Sequence, residues 1–162
     1  MARRGSAGEP GREPAGVRRA RDLHLNILLL AQRALDDLEA ICRDHGVTHA
    51  QYVALWTLCL ADDPTSGVPV GAVADGRLNR ASDATRLVDR LVKAGLAERV
   101  RNPLDGRGVL VRATSEGRRR FEAITPEIQR YHATQFGSLS ADEIAEFARL
   151  AGAAVWTTST ER

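Results

Sequence analysis

Arg107 stands between two glycines in the stretch NPLDGRGVLVRATSEG, residues 102–117, two positions after Asp105. Pro and Gly mark a tight turn there, so its tip exposes a planar cation with five N–H donors, suited to carboxylate or phosphate oxygens. Asp83, Arg86, Arg90 and Lys93 fall together on one face of a helical pattern in NRASDATRLVDRLVKAG, residues 79–95. Residues 77–120 hold twelve Arg or Lys against five Asp or Glu, a net of +7, while the rest of the 162-residue chain nets −5. The whole-chain charge of +2 therefore hides one basic segment. Binding of a polyanion is the chemistry this pattern offers, although a solvated Arg-rich surface would give the same count.

Other chemistries find less support. Cys42 and Cys59 are the two cysteines, in a chain whose basic N-terminus lacks the apolar run of a secretory signal. They read as small buried hydrophobes in a reducing cytoplasm rather than as a disulfide framework. Cys42, His45 and His49 have a spacing reminiscent of a zinc site, but they straddle a helix end, the Gly46 turn and a new cap, with no fourth ligand nearby. Arg118, Arg119 and Arg120 read as a solvated basic face. No nucleophile with its base and no paired carboxylates suggest an enzyme, and neither a metal nor a cofactor is expected. LNILLLA is far too short to span a bilayer, so no membrane partner is expected.

The elements that must position the arginines follow from periodicity and caps. Leu23, Ile27, Leu30, Ala34, Leu38 and Ile41 keep helical spacing over residues 18 to about 44, with a second apolar edge at His24, Leu28, Ala31 and Leu35. That stripe is wide for a helix with one small domain to pack on. Thr48 with Gln51 is a capping-box signature ahead of a helix that is apolar nearly all round. VPVGAVADGR reads as a short helix with Val70, Val73 and Ala74 inward. Ala84, Leu87, Val88, Leu91 and Val92 share the inner face of the next helix, capped at Ser82 or Asn79 and stopped at Gly95. Two short strands follow, Leu96 to Arg101 and Val109 to Ala113, with Val109, Val111 and Ala113 on one face and Leu110 and Arg112 on the other. Thr114 with Glu116 opens a helix that carries Pro126 as a kink or restart. Ser140 with Glu143 caps the last helix, which should bury Ile144, Phe147, Ala151 and Ala154.

The fold class expected is mainly α with a small β-hairpin wing: a winged helix-turn-helix plus a helical region. Its physics suits duplex DNA. An α-helix fits the major groove, and a thin ribbon can carry one guanidinium into the narrow, electronegative minor groove alongside. Arg107, at the tip, is placed for that groove.

RASDATRLVDRLVKAGLAERVRNPLDGRGVLVRATSEG resembles the MarR/SlyA family of bacterial winged-helix transcriptional regulators. The family's wing pattern, Asp-x-Arg, three residues, Val-x-Leu-Thr-x-x-Gly, is matched by Asp105, Arg107, Val111, Thr114 and Gly117, and departs only at Ala113. Thr85 through Leu91, then Gly95 and Leu96, match the recognition-helix pattern, and the likeness covers roughly residues 20–156. It implies an obligate homodimer joined by the first and last helices, a partner surface that the wide stripe on the first helix and the heptad-like stripe near Ile128 independently need. It implies a palindromic operator in double-stranded DNA, bound by a repressor that a small anionic or phenolic effector releases. Carried over by position, Ser82, Asp83, Thr85 and Arg86 face bases, Arg80 and Arg90 neighbour phosphates, and Arg107 is the wing arginine that Asp105 orients. Asp83 can accept from cytosine N4 but repels phosphates; favourable charge at a helix N-terminus serves it equally well. His24, Tyr52 and Trp56 would line the dimer cleft, as ligand groups or as plain core and interface residues.

The resulting division assigns residues 1–17 to a disordered basic arm, 18–48 and 114–157 to a helical dimerisation region, and 49–113 to the winged helix-turn-helix. Two other readings remain at this stage. One is a winged-helix module for protein interaction without specific DNA binding, and the other is a cysteine- or metal-sensing regulator. The family's sensing cysteine lies near the start of the first helix, a position that neither Cys42 nor Cys59 matches.

Overall fold

The computed structural model describes residues 14–61, 63, 66–73, 84–102 and 108–157, the side chains of the last two excepted. Five helices and three strands follow in the order α1 (Ala15–Asp44), α2 (His49–Cys59), β1 (Val68–Pro69), a 3-10 turn (Val70–Val73), α3 (Ala84–Lys93), β2 (Ala97–Arg101), β3 (Val109–Ala113), α4 (Ser115–Thr134) and α5 (Ala141–Thr157). The chain divides into two units, one ending at Ala40 and the other beginning at Ile41.

The first unit is α1 up to Ala40. It starts three residues ahead of the helix expected from periodicity. Leu23, Leu25, Ile27, Leu28, Leu29 and Leu30 are all exposed, Leu29 by 60%. Of the expected stripe, Leu38 is buried and Ala34 half-buried.

The second unit is built on α2. Thr48 forms the expected capping box: its hydroxyl accepts from the Gln51 N–H at 3.2 Å, and the Gln51 side-chain Oε1 accepts from the Thr48 N–H at 2.9 Å. Leu55 and Leu58 of α2, Leu87, Val88 and Leu91 of α3, Val111 of β3 and Ile124 of α4 are shut away from solvent. Burying each such Leu or Ile contributes about 1.5–3 kcal/mol, enough to hold α3 and the sheet on α2 without help from polar contacts. Tyr52, Val53, Ala54, Leu55 and Leu58 of α2 are buried, whereas Trp56 points out with 51% of its surface exposed.

The sheet is antiparallel in the order β1-β3-β2. Its register sets Arg99 opposite Val111 and Glu98 opposite Arg112 in the hairpin, and Val68 opposite Val111 on the other edge. Strand β1 replaces part of the short helix expected there; Pro69 is tolerated because β1 is an edge strand and owes no N–H to a further neighbour. Leu110, on the opposite face from Val111, is buried as well, because β3 is the middle strand and Leu110 lies between Pro69 of β1 and Val100 of β2.

Two glycines fix the path around the hairpin. Gly95 has φ 70° and ends α3 in a Schellman pattern, with its N–H on the Val92 carbonyl at 3.0 Å and the Leu96 N–H on the Leu91 carbonyl at 2.9 Å. Gly117, in the first turn of α4, sits so close to the residue ahead of β2 that an added Cβ would lie 2.0 Å from the Leu96 carbonyl oxygen. Helix α4 carries Pro126 inside it as one element rather than restarting there. Losing one backbone bond is offset by the flanking Ile124 and Ile128, both buried. Ser140 caps α5 as expected, but Ile144, Ala151 and Ala154 are exposed and Phe147 half-buried. Phe147 meets Phe136 edge-on, with ring centroids 6.0 Å apart.

Candidate nucleic-acid interface

Helix α3 is amphipathic, and its solvent side gathers the polar residues. At about 100° per residue, Thr85, Asp89, Lys93, Arg86 and Arg90 lie within an arc of about 140°. All five are exposed, while Ala84, Leu87, Val88 and Leu91 are buried on the other side. The inner face was legible from the sequence and so was its consequence: packing Leu87 and Leu91 inward leaves Thr85, Arg86 and Arg90 no choice but to point out.

Beside α3 runs the β2–β3 hairpin, closed where its described strands end by the Asn102 N–H on the Gly108 carbonyl at 3.0 Å. Arg101 is exposed on β2. Arg112 donates to Glu98 across the hairpin at 2.8 Å, a directly opposed pair in the register. Arg99 reaches from β2 to Asp89 on α3 through Nη2, also at 2.8 Å. Periodicity alone could not have revealed Asp89 and Arg99, since the pair joins two elements whose relative placement is tertiary. The expected residues Arg80, Ser82, Asp83, Asp105 and Arg107 lie outside the described residues.

At the start of α4 the run of three arginines is less available than its sequence suggests. Arg119 and Arg120 both donate to Glu116, the latter at 2.8 Å, and Arg120 also donates to the His45 carbonyl. Hydrogen bonds from Arg120, then Arg119, hold the Glu116 carboxyl below its usual range.

The expected ligand-lining residues have different surroundings. His24 is exposed on α1, in the first unit. Tyr52 is buried, stacked on Phe121 with centroids 5.9 Å apart, and its hydroxyl lies 3.3 Å from that of Thr125. Burial pushes the Tyr52 phenol above its usual pKa. Trp56, one turn along the same helix, is the one of these two that solvent reaches.

Cys42 is buried and Cys59 half-buried, and the two are not joined in a disulfide. Burial raises the Cys59 thiol pKa, with Arg118 pulling it down and Glu122 pushing it up more weakly. The His45 imidazole is engaged by Glu127, Nε2 to Oε1 at 3.0 Å. Among the described residues no three His, Cys, Asp or Glu side chains are grouped to hold a metal ion. No described helix is long and apolar enough to cross a membrane.

This arrangement of α2, α3 and hairpin recurs in known proteins. The MarR family model matches residues 45–108. The uncharacterized HTH-type transcriptional regulator YsmB of Bacillus subtilis is 32% identical over 107 residues, spanning 66% of this chain and 70% of that protein. Among solved structures, a cysteine-to-serine mutant of MarR from E. coli complexed with operator DNA superimposes with a TM-score of 0.72 at 28% identity, covering 82% of this chain and 93% of that one. A MarR family transcriptional regulator from Streptomyces coelicolor gives 0.70 at 26% identity, covering 89% and 99%.

Proposed function

The chain belongs to the MarR family of transcriptional regulators, and from that membership we propose that it binds double-stranded DNA through α3 and the β2–β3 hairpin. The observation that carries this reading is the exposed polar arc of α3, with Thr85, Arg86, Arg90 and Lys93 beside a basic hairpin. Thr85 and Arg86 near the start of α3 meet base edges in the major groove, together with Ser82 and Asp83. Arg90 and Arg80 meet phosphates. Arg107, oriented by Asp105, enters the adjoining minor groove. The E. coli relative captured on operator DNA supports the same use of this fold.

The protein acts as a homodimer on a palindromic operator. Residues 18–48 and 114–157 form the dimerisation region, and 49–113 the DNA-binding region. Support comes from two faces with exposed apolar side chains among the described residues: Leu23, Ile27, Leu28 and Leu29 on α1, and Ile144, Leu150 and Val155 on α5. Exposed apolar helix faces of this kind mark interaction sites, and a two-fold pair is the commonest way to cover them. It represses transcription until a small anionic or phenolic effector releases it, with His24 and Trp56 as contacts that solvent reaches.

Selection of bound fragments from genomic DNA tests the reading. An inverted repeat should emerge, its half-sites one helical turn apart or a multiple of that, and its affinity should fall steeply with salt. Recovery of no sequence, with no salt-dependent binding to any duplex, would refute it.

A further inference from the structure

Asp89 occupies an awkward place. It sits near the middle of the exposed arc of α3, between Thr85 and Lys93, where a carboxylate repels the phosphates that Arg86 and Arg90 attract. Its own helix offers partners: Arg86 is three residues before it and Lys93 four after, both within reach on a helix surface. Among the described residues Asp89 takes neither. It accepts instead from Arg99 Nη2 of β2 at 2.8 Å.

The register explains how Arg99 comes to be there. Arg99 lies opposite Val111, on the sheet face that carries the buried Val111 side chain, and α3 packs against β2. A charged side chain on that face must run out along the helix edge to reach water. Arg99 leaves the sheet beside α3, and its side chain remains 39% exposed. One of its five N–H donors is used on Asp89; the others have no partner among the described residues. Arg112, on the opposite strand, is satisfied differently, by Glu98 across the hairpin.

Resting on the DNA-binding reading above, we propose that Asp89 and Arg99 are a positioning pair within the interface. Asp89 holds the Arg99 guanidinium at the junction of α3 and β2, and its remaining donors bond a backbone phosphate of the duplex. Asp89 is the positioning residue and Arg99 the contact. The carboxylate thereby contributes to binding a polyanion, because its charge is spent on fixing a cation that a free side chain would hold in many rotamers.

The two roles give opposite signs for one substitution. If Asp89 merely repels phosphates, Asp89→Asn tightens DNA binding; if it positions Arg99, the same change weakens it. The experiment measures binding of the full chain to a fluorescein-labelled mixed-sequence duplex across a salt series, with thermal melting to verify that each variant is folded. Exposed ion pairs add little to stability, so the variants should melt near the wild type. Arg99→Gln should weaken binding about fivefold and reduce the slope of log affinity against log salt by about one, the signature of one lost phosphate contact. Asp89→Asn should weaken binding about two- to threefold, and the double variant should bind no worse than Arg99→Gln. Arg99→Lys should keep the wild-type slope with intermediate affinity, since it retains a point charge without the planar fork. Tighter binding by Asp89→Asn, or an unchanged slope for Arg99→Gln, overturns the proposal while leaving the DNA-binding reading intact. A wild-type chain with no salt-dependent binding at all would overturn both.

Discussion

The Thr114 hydroxyl donates to the Gly95 carbonyl at 2.7 Å and accepts from the Gly117 N–H at 3.1 Å. One side chain thereby joins the end of α3 to the first turn of α4, and the Thr114 N–H adds a bond to the Leu96 carbonyl. Thr114→Val keeps the shape and removes both hydroxyl bonds. The expected loss is about 1–2 kcal/mol of unfolding free energy, read as a lower urea midpoint at constant slope. Thr114→Ser should retain most of it. A valine variant as stable as the parent would show that the Gly95 tie contributes nothing.

Arg86 and Arg107 should fail in different ways if the DNA-binding proposal holds. Arg86→Ala is expected to cost about 1–3 kcal/mol on the selected operator and to relax preference at one position per half-site. Arg107→Ala should weaken binding to most sequences, lower the salt slope and blunt preference for A·T-rich flanks. Quantitative binding to a panel of operator variants at two salt concentrations separates them. Full affinity and slope in Arg107→Ala would remove the wing from the interface.

The open apolar faces of α1 and α5 predict assembly. Sedimentation at micromolar concentration should find a dimer. Leu29→Glu and Val155→Glu, each at a strongly exposed apolar position, should shift it toward monomer while leaving the α2–α3 core folded. A folded wild-type monomer would remove both the dimer and the palindrome.

Acid should loosen particular turns first. The Ser140 N–H, and next its hydroxyl, holds the Glu143 carboxyl low, just as Arg120 and Arg119 hold Glu116. A carboxyl depressed in the folded state adds stability that is complete above its ordinary value and disappears as pH falls through the lowered one. Side-chain NMR titration should place both groups below the ordinary glutamate value. Glu143→Gln, which can still form the cap, should remove the acid sensitivity of the first turn of α5. Ordinary titration of both would contradict the hydrogen bonding seen here.

The two thiols should react slowly and unequally. Cys59, half-buried with a raised pKa, should be modified before the buried Cys42, and both should react fully only on unfolding. Replacing both by Ala should leave DNA affinity insensitive to mild peroxide. Release of the wild type by peroxide, absent in the double variant, would restore the cysteine-sensing reading.

What the sequence revealed were features written in short-range patterns. Thr48 with Gln51 and Ser140 with Glu143 announce two helix starts, and Gly95 announces the end of α3. The spacing of Leu87, Val88 and Leu91 orients α3, and through it Thr85, Arg86 and Arg90. What stayed hidden depends on neighbours. β1 is two residues long and contains Pro69, too little for alternation to register. Alternation sets Leu110 on the opposite face from Val111, but a period of two cannot say that β3 is the middle strand and that both faces find cover. Ile144, Ala151 and Ala154 do form a stripe, but periodicity says only that a face wants cover, not that the same chain supplies it. The Asp89–Arg99 pair is invisible for the same reason, since nothing local joins position 89 to position 99.

The small sheet also carries a history of its own making. Strands β2 and β3 are joined by a short loop, whereas Val68 of β1 finds Val111 of β3 from 43 positions away. Closing a short loop costs less chain entropy and happens sooner, so the hairpin forms as a local unit and β1 is added to a finished edge. The order of assembly runs backward on opening: the two-residue strand is the first part of the sheet to leave. Native-state hydrogen exchange should therefore find the β1–β3 bonds opening at lower free energy than those between β2 and β3. The hairpin that carries the arginines keeps its register through fluctuations that undo the edge strand.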